Sequence, residues 1–235
     1  MTIGIIVQAR MSSQRLPGKV LRDLGGKPML LYTLERVALA HGVDGVIVAT
    51  SDETSDDPIA AFCADKSIPC FRGSLVDVAG RFFAAADAHE FDAFVRVCGD
   101  SPLTDPAVIS TAVALFRGSE YDLVTNTFPR SFPVGVSVEV VRTEPFRRAH
   151  VRMTDPLDRE HVTRYYYQHP EEFRIKNFSA SHDNSTAQLA VDTVEDWERF
   201  VRIVQQMERS HTAYHYEEIL AMVPEGERGG THSVH

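Results

Sequence analysis

The 235-residue chain is 43% hydrophobic and 24% charged, ordinary globular usage that disfavours disorder and fibrous architectures. No apolar run approaches the roughly 20 residues of a membrane helix, and a net charge of −9 argues against a general nucleic-acid surface. Cys63, Cys70 and Cys98 are odd in number and lack CxxC spacing, which disfavours a disulfide framework or a cysteine zinc site and predicts buried thiols.

The start, MTIGIIVQAR, has no basic n-region, so a cytoplasmic protein is expected. Residues 3–7 are continuously apolar, as in a strand buried on both faces. Gly25-Gly26 marks a turn, and Leu30, Leu34, Val37 and Ala38 follow at helical spacing. Residues 46–49 give a second buried strand. Asp57-Pro58 reads as an N-cap with proline at N1, opening a helix to about Lys66. Residues 69–71 give a short strand, Val78, Phe82, Ala85 and Ala86 a helical face, and residues 94–98 a fourth strand. Asp105-Pro106 repeats the helix start. This alternation predicts a mostly parallel sheet with helices on both faces, and ligands beyond the carboxyl ends of its strands. Those ends are Gln8-Ala9-Arg10, Thr50-Ser51-Asp52, Arg72-Gly73 and Gly99-Asp100.

The second half is more mixed. Residues 121–125 and 136–141 read as strands, the latter with Glu139 near its middle, joined by a loop over 126–135. Asp155-Pro156 opens one helix running to about Tyr167. Residues 189–191 give a short strand ending at Asp192. Thr193 and Asp196 resemble a capping box for a helix with Trp197, Phe200, Val201, Val204 and Met207 on its core face. One domain is expected over residues 1–223, with residues 224–235 a flexible tail.

The charge is uneven. Residues 1–34 hold Arg10, Arg15, Lys19, Arg22 and Lys27 against Asp23, a local +4 that leaves −13 for the rest. Three of these cations lie in QARMSSQRLPGK, directly after the first strand. Such a loop can wrap a polyphosphate, with backbone N–H groups turned inward and Arg and Lys heads neutralising charge; an ordinary basic surface loop fits the spacing equally well. It matches neither a Walker A motif nor GxGxxG.

QARMSSQRLPGK followed by DLGGKPML resembles the nucleotide-binding signature of the bacterial cytidylyltransferases, the superfamily of CMP-Kdo and acylneuraminate synthetases. The nearest branch is the one named for spore-coat polysaccharide biosynthesis. The resemblance continues through VIVATSD, the RG…DV…RF pattern, VRVCGDSPLTDP, YDLVTNTFPRSFPVGVSVEV, DREHVT and LAVDTVEDW, over roughly residues 3–205. It implies a single nucleotide-diphospho-sugar-transferase-like (Rossmann-like) α/β domain.

It also implies roles. Arg10, Arg15 and Lys19 bind the phosphates of CTP, with Lys19 stabilising charge in the transition state. Gln8 and Ala9 lie beside the base. Arg72, Gly73, Asp77 and Arg81 lie near base and ribose, although Arg81 could instead close an i,i+4 ion pair with Asp77. Asp100 and Asp192 become Mg²⁺ ligands, in keeping with the metal's preference for hard oxygens; from residue type alone they read as a turn residue and a residue ahead of a helix cap. Asn126, Arg130, Glu139, Arg159, Glu160 and His161 fall on the acceptor side. His161 has the alternative of a structural histidine. Arg15, Lys19 and Asp100 form the expected catalytic set.

The implied reaction transfers CMP to a hydroxyl acceptor, an acidic sialic-acid- or Kdo-like sugar, with loss of pyrophosphate. Two departures bear on it: RGSLVDVAGRF is shorter than the matching stretch of Kdo enzymes, and Ser101 stands where acidic or cysteine residues are common. Rival expectations are a sugar-1-phosphate nucleotidylyltransferase using another nucleotide, and a nucleotide-binding protein without turnover. Phe128 and Phe132 on the loop 127–133 suggest a homodimer contact or a flap over the acceptor site.

Overall fold

The computed structural model describes residues 1–228. In chain order its elements are β1 (Ile3–Gln8), a hairpin of β2 (Asp23–Leu24) and β3 (Lys27–Pro28), α1 (Met29–Val37), β4 (Gly45–Ser51), α2 (Asp57–Asp65), β5 (Cys70–Gly73), α3 (Val78–Ala88), β6 (Ala93–Cys98) and α4 (Pro106–Phe116). There follow β7 (Leu123–Thr125), β8 (Glu139–Arg142), α5 (Thr143–Arg152), α6 (Pro156–Glu160), α7 (Arg164–Gln168), β9 (Ile175–Asn177), α8 (Val194–Gln206), α9 (Tyr216–Ala221) and α10 (Glu225–Arg228).

The main sheet has seven strands in the order β5-β4-β1-β6-β8-β7-β9. The pairs β5–β4, β4–β1, β1–β6 and β7–β9 are parallel, while β8 runs antiparallel to both β6 and β7. The sheet is therefore mostly parallel, as the alternating pattern predicts, with an antiparallel insertion in its second half.

Side-chain alternation along β1 divides the core. Ile3, Ile5 and Val7 face a cluster that includes Leu30 of α1, Ile109 of α4 and Phe200 of α8. Ile6 faces another, with Phe82 of α3, Phe146 of α5 and Tyr166 of α7. Helices thus cover both faces, which explains why β1 and β6 are almost wholly apolar. Fully buried Arg36 ties α1 to the C-terminal segment: its Nε donates to the Thr104 carbonyl at 2.7 Å, its NH2 to that of Tyr214 at 2.8 Å, and its NH1 to that of His211. Burial lowers the Arg36 pKa to about 10, so it stays charged at neutral pH.

Several local expectations change. The cap of α2 is Asp56, not Asp57, and its carboxylate turns elsewhere. Glu139 is the first residue of β8 rather than the middle of a strand. The single helix expected over 155–167 is broken into α6 and α7 at Val162, a buried β-branched residue held at φ 51°, where such residues rarely sit. Residues 189–191 form no strand, with a bend at Ala190; an isolated bridge pairs Val134 with Gln188. At that crossing Gly135 has φ 98°, and a Cβ there would lie 2.4 Å from the Ala190 nitrogen. Elements α5 and β9 carry no expectation from sequence. The tail expected from Pro224 includes the short helix α10; residues 229–235 of the expected tail lie outside the described residues. Cys63 is buried, whereas Cys70 and Cys98 are only partly so. Among the described residues no helix is long and apolar enough to cross a membrane.

Candidate active site

The cationic loop leaves β1 at the carboxyl edge of the sheet. Its path is fixed from below by Asp56, which is fully buried. One Asp56 oxygen accepts the Met11 amide at 2.7 Å, and the other accepts the Ser51 amide at 3.2 Å. Gly18, at φ 70°, turns the chain so that its amide reaches the Met11 carbonyl at 2.9 Å. Lys19 then opens a single 3₁₀ turn with its side chain inward.

The Lys19 ammonium joins three distant segments. It lies 2.9 Å from an Asp100 oxygen, 2.9 Å from an Asp192 oxygen and 2.8 Å from the Val191 carbonyl. Asp100 lies two residues past the end of β6, and its carbonyl accepts the Val191 amide at 2.8 Å. That bond brings the segment ahead of α8 alongside the end of β6. The Thr193–Asp196 capping box is present, and Asp196 also accepts the Asp192 amide. Arg15 reaches the second Asp192 oxygen at 3.2 Å. Burial disfavours the Lys19 charge, yet the two carboxylates outweigh it and hold the ammonium above its ordinary pKa.

These residues line a cavity of about 430 Å³, within the usual range for small-molecule sites. Gln8, Ala9, Arg10, Arg15, Lys19, Arg81, Asp100 and Asp192 all border it. Arg81 is 3% exposed and donates NH1 to the Ser74 carbonyl at 2.6 Å; the alternative ion pair with Asp77 does not form. The Cys98 thiol also borders the cavity, and burial raises its pKa to about 11, so it is a neutral group there.

A second cavity, of about 970 Å³, adjoins the first. Arg130, Glu139 and His161 border it, with Thr163, Arg164 and Tyr167. Glu139 is 4% exposed. It accepts from Arg96 at 2.6 Å, from Thr163 at 2.7 Å and from the Tyr167 hydroxyl. Burial pushes its pKa up, but Arg96 and these hydrogen bonds prevail and hold it below the ordinary value. Arg130 donates to Ser137 at 2.9 Å.

Other expected residues sit elsewhere. Arg72 donates to the Ser51 and Glu53 carbonyls and pairs with Asp57 at 2.7 Å; neither it nor Gly73 borders either of these two cavities. Asp77 caps α3 through the Gly80 amide at 2.8 Å and pairs with His150 and Arg159. Arg159 is thereby directed to Asp77 and borders neither cavity. Glu160 lines the first cavity, not the second, and lies 3.5 Å from Arg10. Asn126 is fully buried and holds the chain at Val136 and Val138 through its side-chain amide. Of the loop aromatics, Phe132 is buried against Phe178 and Tyr216, and only Phe128 is exposed, stacked on Tyr167. Arg96 and Tyr167 were not singled out from sequence. The signal for Arg96 was present: an arginine inside the apolar strand FVRVC.

Asp100 and Asp192 offer hard carboxylate oxygens converging on one cation-sized point, which the Lys19 ammonium marks. That donor set fits Mg²⁺, with substrate phosphates supplying further oxygens.

The Rossmann-like α/β sheet with a polar cleft at the carboxyl ends of its parallel strands is the fold of solved nucleotidyltransferases. The chain belongs to the cytidylyltransferase family: residues 4–227 match the family model of that description. It is a CTP-dependent nucleotidyltransferase. It is 32% identical over 213 residues to the spore coat polysaccharide biosynthesis protein SpsF of Bacillus subtilis, covering 87% of each chain. It is 34% identical over 119 residues to 3-deoxy-manno-octulosonate cytidylyltransferase 2 of Hydrogenovibrio crunogenus, covering 50% of this chain and 48% of that one. A solved cytidylyltransferase of Leptospira borgpetersenii superposes with a TM-score of 0.91 at 28% identity over the whole of both chains.

Proposed function

We propose that the enzyme transfers CMP from CTP to a hydroxyl of an acidic sugar used in surface polysaccharide synthesis, with pyrophosphate leaving. The reading is carried by one observation: the carboxylates of Asp100 and Asp192 and the Lys19 ammonium meet within 2.9 Å contacts in a cavity also lined by Arg10 and Arg15. The names of the relatives agree with it, since one acts in polysaccharide biosynthesis and another on 3-deoxy-manno-octulosonate.

In this reading the first cavity takes the donor. Gln8 and Ala9 face the base, and Arg10, Arg15 and Lys19 take the phosphate oxygens. Asp100 and Asp192 would hold Mg²⁺, which when bound would screen the triphosphate and acidify the attacking hydroxyl. The acceptor occupies the second cavity, its acidic group toward Arg130. The acceptor oxygen bonds to the α-phosphorus, the bond from that phosphorus to the α,β-bridging oxygen breaks, and pyrophosphate departs with the electron pair. The hydroxyl proton passes to water. Arg15 and Lys19 offset the charge that develops on the leaving group.

Calorimetric titration of CTP, UTP, GTP, dTTP and ATP, with and without Mg²⁺, tests the donor site. CTP selectivity that needs Mg²⁺ is expected, with affinity falling roughly tenfold in Arg15→Ala, as for loss of one charge-assisted contact. Pyrophosphate release is then measured with a panel of acidic 3-deoxy sugars and neutral sugars. Turnover confined to a sugar 1-phosphate with another nucleotide would move the enzyme to the sugar-phosphate class.

A further inference from the structure

Only two of the described residues border both cavities, Arg96 and His161. They differ in how they are held. His161 is exposed at the end of α6. Arg96 projects from the interior of β6 and is fixed on two sides: its Nε donates to the Gln8 side-chain oxygen at 3.3 Å and its NH1 to Glu139 at 2.6 Å. Arg96 and Glu139 are direct cross-strand partners in the β6–β8 ladder. Glu139 is further turned inward by Thr163 and Tyr167, leaving its side chain 5% exposed against 17% for Arg96. The pair therefore presents its cationic member to the cavities. A guanidinium is permanently charged and carries five N–H donors, more than Gln8 and Glu139 consume. If Arg96 served only to pin two strands, an apolar pair of similar volume would do so at no greater cost.

In a transfer between adjoining sites, the migrating phosphoryl group must stand where the sites meet. We propose that Arg96 is a catalytic residue that donates to a non-bridging oxygen of the α-phosphoryl group as it passes from pyrophosphate to the acceptor. This rests on the donor and acceptor placement proposed above. Gln8 and Glu139 act on it as positioning groups.

The test needs no acceptor. Cytidine, CMP and CTP are titrated calorimetrically into the wild type, Glu139→Gln, Arg96→Gln and the double variant Arg96→Gln/Glu139→Gln, with EDTA present for cytidine and CMP. Circular dichroism and the melting temperature check folding. The double variant leaves no buried unpaired charge, and so serves if Arg96→Gln alone fails to fold. The expected result is that the CMP-to-cytidine affinity ratio falls roughly tenfold or more wherever Arg96 is replaced, while cytidine affinity holds and Glu139→Gln keeps most of the ratio. CTP binding with an unchanged ratio in a folded Arg96 variant would overturn the role of Arg96 alone. A wild type that binds none of the three would remove the donor-site placement and the role of Arg96 with it.

Discussion

The two cavities are built in different ways. The first draws most of its lining from places where an apolar strand stops and a loop begins: Gln8 to Lys19 after β1, and Asp100 after β6. Chemistry there follows topology, because parallel strands deliver their carboxyl ends to one edge. The second is assembled from a long loop, the antiparallel strand β8 and two short helices, α6 and α7. No single strand end defines it. The first cavity therefore follows from the parallel part of the sheet, while the second combines its antiparallel part with loop and short-helix segments.

The largest effect tests the first cavity. Asp100→Asn is expected to lower turnover about a thousandfold, the scale of losing an electrostatic group aimed at the reacting centre, with the melting temperature little changed. Pyrophosphate release and calorimetric stability measure the two quantities. Wild-type turnover in the folded variant would remove Asp100 from the mechanism. A smaller change sharpens the contrast between the cavities: Arg130→Ala should raise KM for an acidic acceptor roughly tenfold, as for one lost charge-assisted hydrogen bond, and leave CTP affinity unaltered. Loss of CTP binding in that variant would mean that the cavities are not functionally separate.

The smallest effect concerns a residue outside both cavities. Burial alone would raise the Asp77 pKa, but the Gly80 amide, His150 and Arg159 outweigh it and hold the carboxyl below its usual value. A depressed folded-state pKa gives stability that is complete above the unfolded value, near pH 4, and lost as pH falls through the folded value. Asp77→Ala should cost about 1 kcal/mol at neutral pH, the size of a lost N-cap. The gap from wild type, read from urea midpoints, should close in acid. CTP affinity should not change; a marked fall would return Asp77 to the nucleotide site.

The same contrast governs what could be read in advance. Buried strands β1, β4 and β6 announce themselves as apolar runs, and the polar residues that end them mark the cleft. Asp192 is reached more indirectly, since the segment before it is not a strand. Its place is set by the Val191 amide bonding to the Asp100 carbonyl, a long-range contact that no local pattern encodes. Val162 hides its break in the same manner: nothing in a valine signals a left-handed backbone, and the Asp155–Tyr167 stretch reads as one helix. The helix α5, TEPFRRAHVR, buries only Pro145, Phe146 and Ala149, too thin a stripe to stand out. Asp77 and Arg72 show the converse. Charged residues beside strand and helix ends look like ligand groups, yet here their partners are caps, carbonyls and other side chains.

The anchoring of Arg36 has a consequence for how the molecule comes into being. A chain is made from its amino terminus, so the cation-bearing loop and all seven main-sheet strands precede residue 190. At residue 190 the nascent chain holds Lys19 and Asp100 but not Asp192, and the Arg36 guanidinium has the Thr104 carbonyl while those of His211 and Tyr214 are still to come. Interior stability and the last active-site carboxylate thus arrive with the same final stretch. A polypeptide cut short in that stretch lacks two of the three carbonyls that Arg36 reaches, and with them the tie between α1 and the C-terminal segment.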